Sequence, residues 1–289
     1  MFESFLTYRS GRWFWWASAL SLLSIGLYAW HDLPDPPNGG TWLGYTLGTI
    51  GAVLIVWLIW LGRRKRDYGS NVGTVQGWTS AHVYLGTALI IIATLHTGFQ
   101  FGWNLHTLAY TLMMIVILSG FFGIWAYARY PSLMTENTGG KSRPELYTEV
   151  AELDRQLQRL AEKVGPEVAT AVASALERTV VGGSWLAQLR GEDLSEVQLP
   201  GKGRVSNAGM NAIVDFVIEH LGASRDGAQG EALRELSTLL GNRARLLARV
   251  RRDVQLVGLL RAWLFVHVPV AFACLAALTA HIVSVFIYW

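Results

Sequence analysis

Charge is missing from three long stretches of this 289-residue chain. No Asp, Glu, Lys or Arg occurs in 36–62, in 68–128 or in 262–289. A helix in water needs a polar face, so these stretches exclude a water-soluble domain. Cysteine is almost absent as well. Cys274 stands alone, which excludes a disulfide framework, a Cys-x-x-Cys-His haem attachment and a cysteine-ligated iron–sulfur cluster. It is expected to be a small packing residue in the last apolar run. Carboxylates are missing from all the apolar runs, and no segment alternates with period two, so no strand is expected. The glycine pairs Gly182-Gly183 and Gly201-Lys202-Gly203 lack a strand–turn–helix context and make no nucleotide fingerprint.

What is present is apolar length. The hydrocarbon core of a bilayer is about 30 Å thick, so about 20 apolar residues make one span. Five spans are expected, at 13–31, 41–62, 80–101, 107–128 and 262–287. The first follows Arg9 and Arg12 in the manner of a signal peptide, but it is long, rich in Trp and lacks a small-residue cleavage site; it reads as a retained helix. The short connections order the topology. Arg9, Arg12 and the cluster Arg63, Arg64, Lys65, Arg66 mark the inner side, whereas 31–41, 100–107 and the C-terminal end carry no Lys or Arg. The N-terminus is therefore expected inside and the C-terminus outside, in a bacterial-type cytoplasmic membrane. The net charge of +3 is mainly this topology signal and the basic clusters face lipid; nucleic acid is not an expected partner.

Composition changes in 130–261, which holds most of the chain's 21 acidic and 24 basic residues. Segments 145–164 and 231–257 carry apolar residues at helical spacing, while 135–141 and 200–207 read as loops. The reading is an all-α integral membrane helical bundle of about five transmembrane helices with a helical cytoplasmic insert. Its parts are 1–129 (spans one to four), 130–261 (the insert) and 262–289 (the fifth span). The stretch 239–261 has no proline and should run into the last span as one long helix, with Gly241 and Gly258 as its weak points. No cofactor chemistry is visible in the insert, which reads as a docking or assembly domain.

Four of the seven histidines lie inside spans: His82 and His96 in the third, His267 and His281 in the fifth. Each pair is separated by 14 residues, which returns a side chain to nearly the same helix face about 21 Å along the axis. Both spans run from inside to outside, so His82 is expected level with His267 and His96 level with His281. Each level can clamp one haem b iron from two sides, leaving no open position, which suits electron transfer. Ionisable residues in spans are rare and default to function; a lone membrane histidine is often only a hydrogen-bonding group, but two matched pairs are harder to dismiss. Their other ring nitrogens are expected to be held by Ser80, Thr97 or backbone carbonyls. Gly48 and Gly62, also 14 apart, and Gly86, one turn from His82, could let a flat porphyrin approach, although glycines also serve membrane helix packing. Arg261 and the 63–66 cluster could meet propionates of the inner haem. His106, at the outer surface, is a candidate near the outer haem or a quinone. His31 and His220 read as solvated side chains.

This His-x13-His pattern on two parallel helices resembles the ligand arrangement of the diheme membrane cytochrome b superfamily. The run Leu95-His96-Thr97-Gly98-Phe99, followed by Asn104-Leu105-His106, is similar to bacterial ferric-reductase-like electron-transfer cytochromes. The resemblance covers the third to fifth spans, with the second, and not the insert. It implies two haem b groups, exchange with the quinone pool, and a redox partner protein, whether an iron–sulfur, flavoprotein or c-type cytochrome subunit, within a respiratory oxidoreductase complex or a homodimer. Two other function classes stand beside it: a transporter moving metal ions or protons through the histidines, and a membrane anchor or assembly protein without haem.

Overall fold

The computed structural model describes residues 4–32, 37–67, 69, 71–224 and 227–287. It is helical almost throughout. Among the described residues ten α-helices follow in order: α1 (Tyr8–Trp30), α2 (Trp42–Ile59), α3 (Leu61–Arg64), α4 (Val75–His96), α5 (Leu105–Thr138), α6 (Arg143–Val164), α7 (Pro166–Glu177), α8 (Trp185–Arg190), α9 (Asn211–Ala223) and α10 (Gly227–Ile287). Four of the long helical runs are apolar enough to cross a membrane: Trp42–Arg64, Val75–His96, and the apolar parts of those containing α5 and α10. The first expected span, 13–31, falls on α1 up to Trp30, and this helix is not among the four. Its Leu and Ile residues are flanked by Trp13, Trp15, Trp16, Tyr28 and Trp30, amphipathic side chains that favour the membrane interface. Its first turn is also irregular, with Arg9, Ser10 and Gly11 in the left-handed region.

Helix boundaries follow local chemistry. Thr41 and Thr74 cap α2 and α4 by accepting the amide protons of Gly44 and Gly77, each at 3.0 Å. The third apolar run thus starts earlier than 80 and ends at His96, where Gly98 and Phe99 turn the chain with φ of 58° and 60°. The expected loop at 135–141 begins late, because α5 continues through Pro131 to Thr138.

The chain divides into two compact units, Met1–Trp125 with Trp263–Trp289, and Ala126–Ala262. In the first, Leu43, Leu47, Ile92 and Leu95 form a buried cluster that also takes Leu20 and Leu27, joining α1, α2 and α4. A second cluster joins α2, α4, α5 and α10 through Leu58, Leu89, Met113 and Cys274. Tyr84 donates to the carbonyl of Leu6 at 2.9 Å, tying the N-terminal segment to α4. Arg64 gives its guanidinium protons to the carbonyls of Asp67, Val72 and Gly73, so it closes the loop after α3. Large apolar side chains remain exposed on the helix exteriors, among them Trp15, Leu22, Val53, Phe272 and Phe286, a surface that water does not favour and lipid does.

The second unit has its own core, built by Leu157, Val168, Val172, Ile213, Val217 and Leu236 from α6, α7, α9 and the first part of α10. It also contains what the sequence reading missed: an antiparallel hairpin of β1 (Glu196–Leu199) and β2 (Gly203–Ser206), with Val197 opposite Val205. The segment 200–207, read as a loop, is its turn and second strand. Four-residue strands offer only two inward positions, here Val197 and Leu199, too few for alternation to stand out.

Arg243 is almost fully buried in this unit, with 2% exposure. It is paired with Asp154 and donates to Thr179 Oγ1 at 2.9 Å. Replacing Asp154 by Ala leaves that guanidinium charged and uncompensated, so Asp154→Ala should destabilise the protein by about 3 kcal/mol. Arg243→Met should cost less, and thermal unfolding followed by helical circular dichroism distinguishes the two. At the start of α6, Glu145 accepts from the Ser142 amide at 2.6 Å and its hydroxyl at 2.7 Å. These bonds hold the Glu145 carboxyl below the ordinary glutamate value of 4.5. A depressed pKa contributes stability above the unfolded value and loses it as pH falls through the folded one. The stability difference between wild type and Glu145→Gln should therefore be full at neutral pH and be lost as acidification takes the carboxyl through its depressed pKa, measured by thermal melts across pH.

Candidate functional site with two histidine levels

All four span histidines lie in the first unit, two on α4 and two on α10. Leu89 is midway between His82 and His96 in sequence, and Cys274 is midway between His267 and His281. Both midpoints are buried in one cluster, at 2% and 4% exposure. With the midpoints in one cluster, the two histidines of each helix lie on either side of it in the sequence. At one level the rings of His96 and His281 lie 6.1 Å apart between centroids, with their planes at 66°. Two imidazoles bonded to one metal from opposite sides, each by a bond of about 2 Å, put their centroids about 6 Å apart. His82 and His267 are the other two members of the set, one on each helix.

The protons on these rings can be placed. His82 Nδ1 lies 3.0 Å from the carbonyl of Leu58, and His96 Nδ1 lies 2.8 Å from the carbonyl of Gly44. A carbonyl only accepts, so both rings carry their proton on Nδ1 and keep a lone pair on Nε2. His267 Nδ1 lies 2.7 Å from Ser119 Oγ, which also sits 2.8 Å from the carbonyl of Val116. The hydroxyl has one proton and gives it to that carbonyl, so His267 donates too. Three rings thus have the tautomer a metal requires. His281 differs, because its Nδ1 is buried with no hydrogen-bond partner.

The remaining candidates separate clearly. Gly48 belongs to the site, though toward a ring: a Cβ there would sit 2.7 Å from Cε1 and 2.9 Å from Nδ1 of His96. Only glycine lets α2 come close enough for Gly44 to take the His96 proton. Gly86 faces Leu58 and Gly62 faces open space, so neither meets a histidine. His106, at the start of α5, packs against His281 with centroids 4.3 Å apart. Arg261 is exposed and belongs to the other compact unit. Ser80 and Thr97 are not the partners of the rings. Ser80 Oγ is buried without a partner, and Thr97 Oγ1 donates to the carbonyl of Thr94. The backbone carbonyls expected as alternatives serve two of the rings.

Ser119 was not among the sequence candidates. Its signal is weak, one hydroxyl in an apolar run, and only the packing of α5 on α10 reveals its role. The same carbonyl-rich turn accepts the indole N–H of Trp263 through Ser119 O at 2.7 Å. Gly123 admits that indole where any Cβ would collide. Among the described residues, no group of three or more His, Cys, Asp or Glu is arranged to hold a metal ion; the histidines are disposed as pairs. No protein-family model, curated protein or solved structure matches this chain.

Gly48→Ala should force the His96 ring off α2 and cost about 1–3 kcal/mol, as overpacking does. Gly51→Ala, where a Cβ would make an ordinary 3.6 Å contact with Leu89, should cost far less. Thermal unfolding of both variants tests the close approach.

Proposed function

We propose that this chain is a diheme membrane cytochrome b that carries electrons across or within the membrane between the quinone pool and a redox partner protein. The observation that carries this reading is the proton placement on the rings. His82, His96 and His267 each donate Nδ1–H to an oxygen of a neighbouring helix and present a bare Nε2, on helices that set two pairs level. The residues fit the group in another respect: His96 and His281, with centroids 6.1 Å apart, would hold it between their ring nitrogens. His82 with His267 would hold one haem b, and His96 with His281 the other. When bound, such a group supplies reversible one-electron chemistry at an iron with no open coordination position.

The chain's own contribution is to orient and insulate. The carbonyls of Leu58 and Gly44 and the hydroxyl of Ser119 fix ring rotation, so little reorganisation follows a change in charge. The buried cluster of Leu58, Leu89, Met113 and Cys274 lies between the two levels and keeps water from the path. In the same reading α1 and the four apolar helices make five spans, with the N-terminus and the 130–261 insert inside and the C-terminus outside. The His82/His267 level is then the inner one, beside the Arg63–Arg66 cluster. Quinol or quinone and a flavin, iron–sulfur or c-type haem subunit would supply and remove electrons, in a hetero-oligomeric complex or homodimer.

The test is a reduced-minus-oxidised spectrum of the purified protein with a pyridine haemochrome count per chain. Two b-type haems are expected, falling to one in His96→Ala and to one in His82→Ala. A colourless protein, or one whose haem is untouched by both substitutions, would overturn the reading.

A further inference from the structure

The four ring Nδ1 atoms are not alike. His82, His96 and His267 give their proton to Leu58 O, Gly44 O and Ser119 Oγ. His281 Nδ1 is buried and gives its proton to nothing. Its ring neighbour His106 lies at 4.3 Å between centroids with planes at 67°. An in-line N–H···N bond would hold the centroids about 5 Å apart, so His106 meets the ring edge to face and does not accept the proton. The His82/His267 level therefore has two Nδ1 bonds and the His96/His281 level has one.

An imidazole whose N–H is held by an oxygen donates more electron density through its other nitrogen. Strong donation favours the oxidised, more positive state of a bound metal, and weaker donation favours the reduced state. Ser119 is built for this task. Its hydroxyl proton is committed to Val116 O, which leaves the oxygen free to accept. Its backbone carbonyl holds the indole of Trp263, whose ring lies 5.1 Å from that of His267. The α5 turn thus supports His267 through one bond and one packed ring.

Resting on the haem reading above, we propose that Ser119 is a positioning residue for His267, and that the unequal Nδ1 bonding makes the His96/His281 site more readily reduced than the His82/His267 site. Lys65, in the basic cluster at the end of α3, works in the opposite sense, since a positive charge favours reduction nearby. Its side chain is exposed, and salt screens such a charge over about 8 Å. The Nδ1 bonds act through the ligand ring itself and are not screened.

The experiment is a redox titration of the full-length protein in detergent, for wild type and Ser119→Ala. The two spectral components are assigned by which one disappears in His82→Ala and in His96→Ala. In wild type the His96/His281 component should reduce first. Ser119→Ala should make the His82/His267 component easier to reduce, changing the partition of a single electron between the sites by roughly tenfold, and should leave the other component in place. Ser119→Thr, which keeps the hydroxyl, should restore the wild-type titration. If Ser119→Ala loses haem, Ser119→Cys, of similar size and a poorer acceptor, must show the same shift. Coincident components, the reverse order, or an equal shift of both in the variant would overturn the inference while leaving two haems in place. A protein without haem overturns the underlying reading and this inference with it.

Discussion

The donation of a ring N–H from an α4 histidine to a carbonyl of α2 is the contact on which the unit of apolar helices is organised. It fixes more than a side chain. His96 reaches Gly44 O only because Gly48 has no Cβ, so the bond sets how near α2 and α4 can lie. His82 reaches Leu58 O in the last turn of α2, where the helix breaks at Trp60 and carbonyls lose their regular partners. The two bonds pin α4 to α2 at both ends, and the Leu43, Leu47, Ile92 and Leu95 cluster packs the two helices at the His96 end. A buried imidazole with an unmet N–H would cost a few kcal/mol in such surroundings; here three of the four are met, and the exception falls at His281.

The same low-polarity environment explains what the helices leave out. A carboxylate in a span would need a partner or would neutralise, and the apolar runs contain none. Histidine is the ionisable group that can stay neutral there and still offer a lone pair. That combination is why we propose electron exchange through bound groups and not passage of ions, which in transporters usually relies on charged or discontinuous helices.

The Ala126–Ala262 unit follows the ordinary rules of a domain in water. Its helices are amphipathic, most of its apolar faces meet in one core, and its buried charges are paired, Arg243 with Asp154 and Asp253 with Arg143, beside the half-buried pair of Arg251 and Asp193 at 2.8 Å. Arg251 also donates to the carbonyl of Val180 and to Ser195 Oγ, which anchors the chain on either side of α8. Burial nevertheless lowers the Arg251 pKa, with Asp193 opposing that effect. The hairpin closes the same core with Val197 and Leu199. Nothing in this unit calls on the chemistry of the histidine pairs.

The sequence alone determined the helical character, the apolar runs and the matched spacing of His82, His96, His267 and His281, because helix periodicity and lipid length leave a regular trace in one dimension. It also marked Gly48 and His106, though not what either touches. Only the tertiary structure decided which oxygen takes each ring proton, since Leu58 O, Gly44 O and Ser119 Oγ become partners by the approach of separate helices. A backbone carbonyl has no letter in the sequence, and a lone serine in an apolar run has many uses. The β1–β2 hairpin escaped for a related reason: its strands are shorter than the pattern needed to announce them, and the core they cover assigns their inward faces.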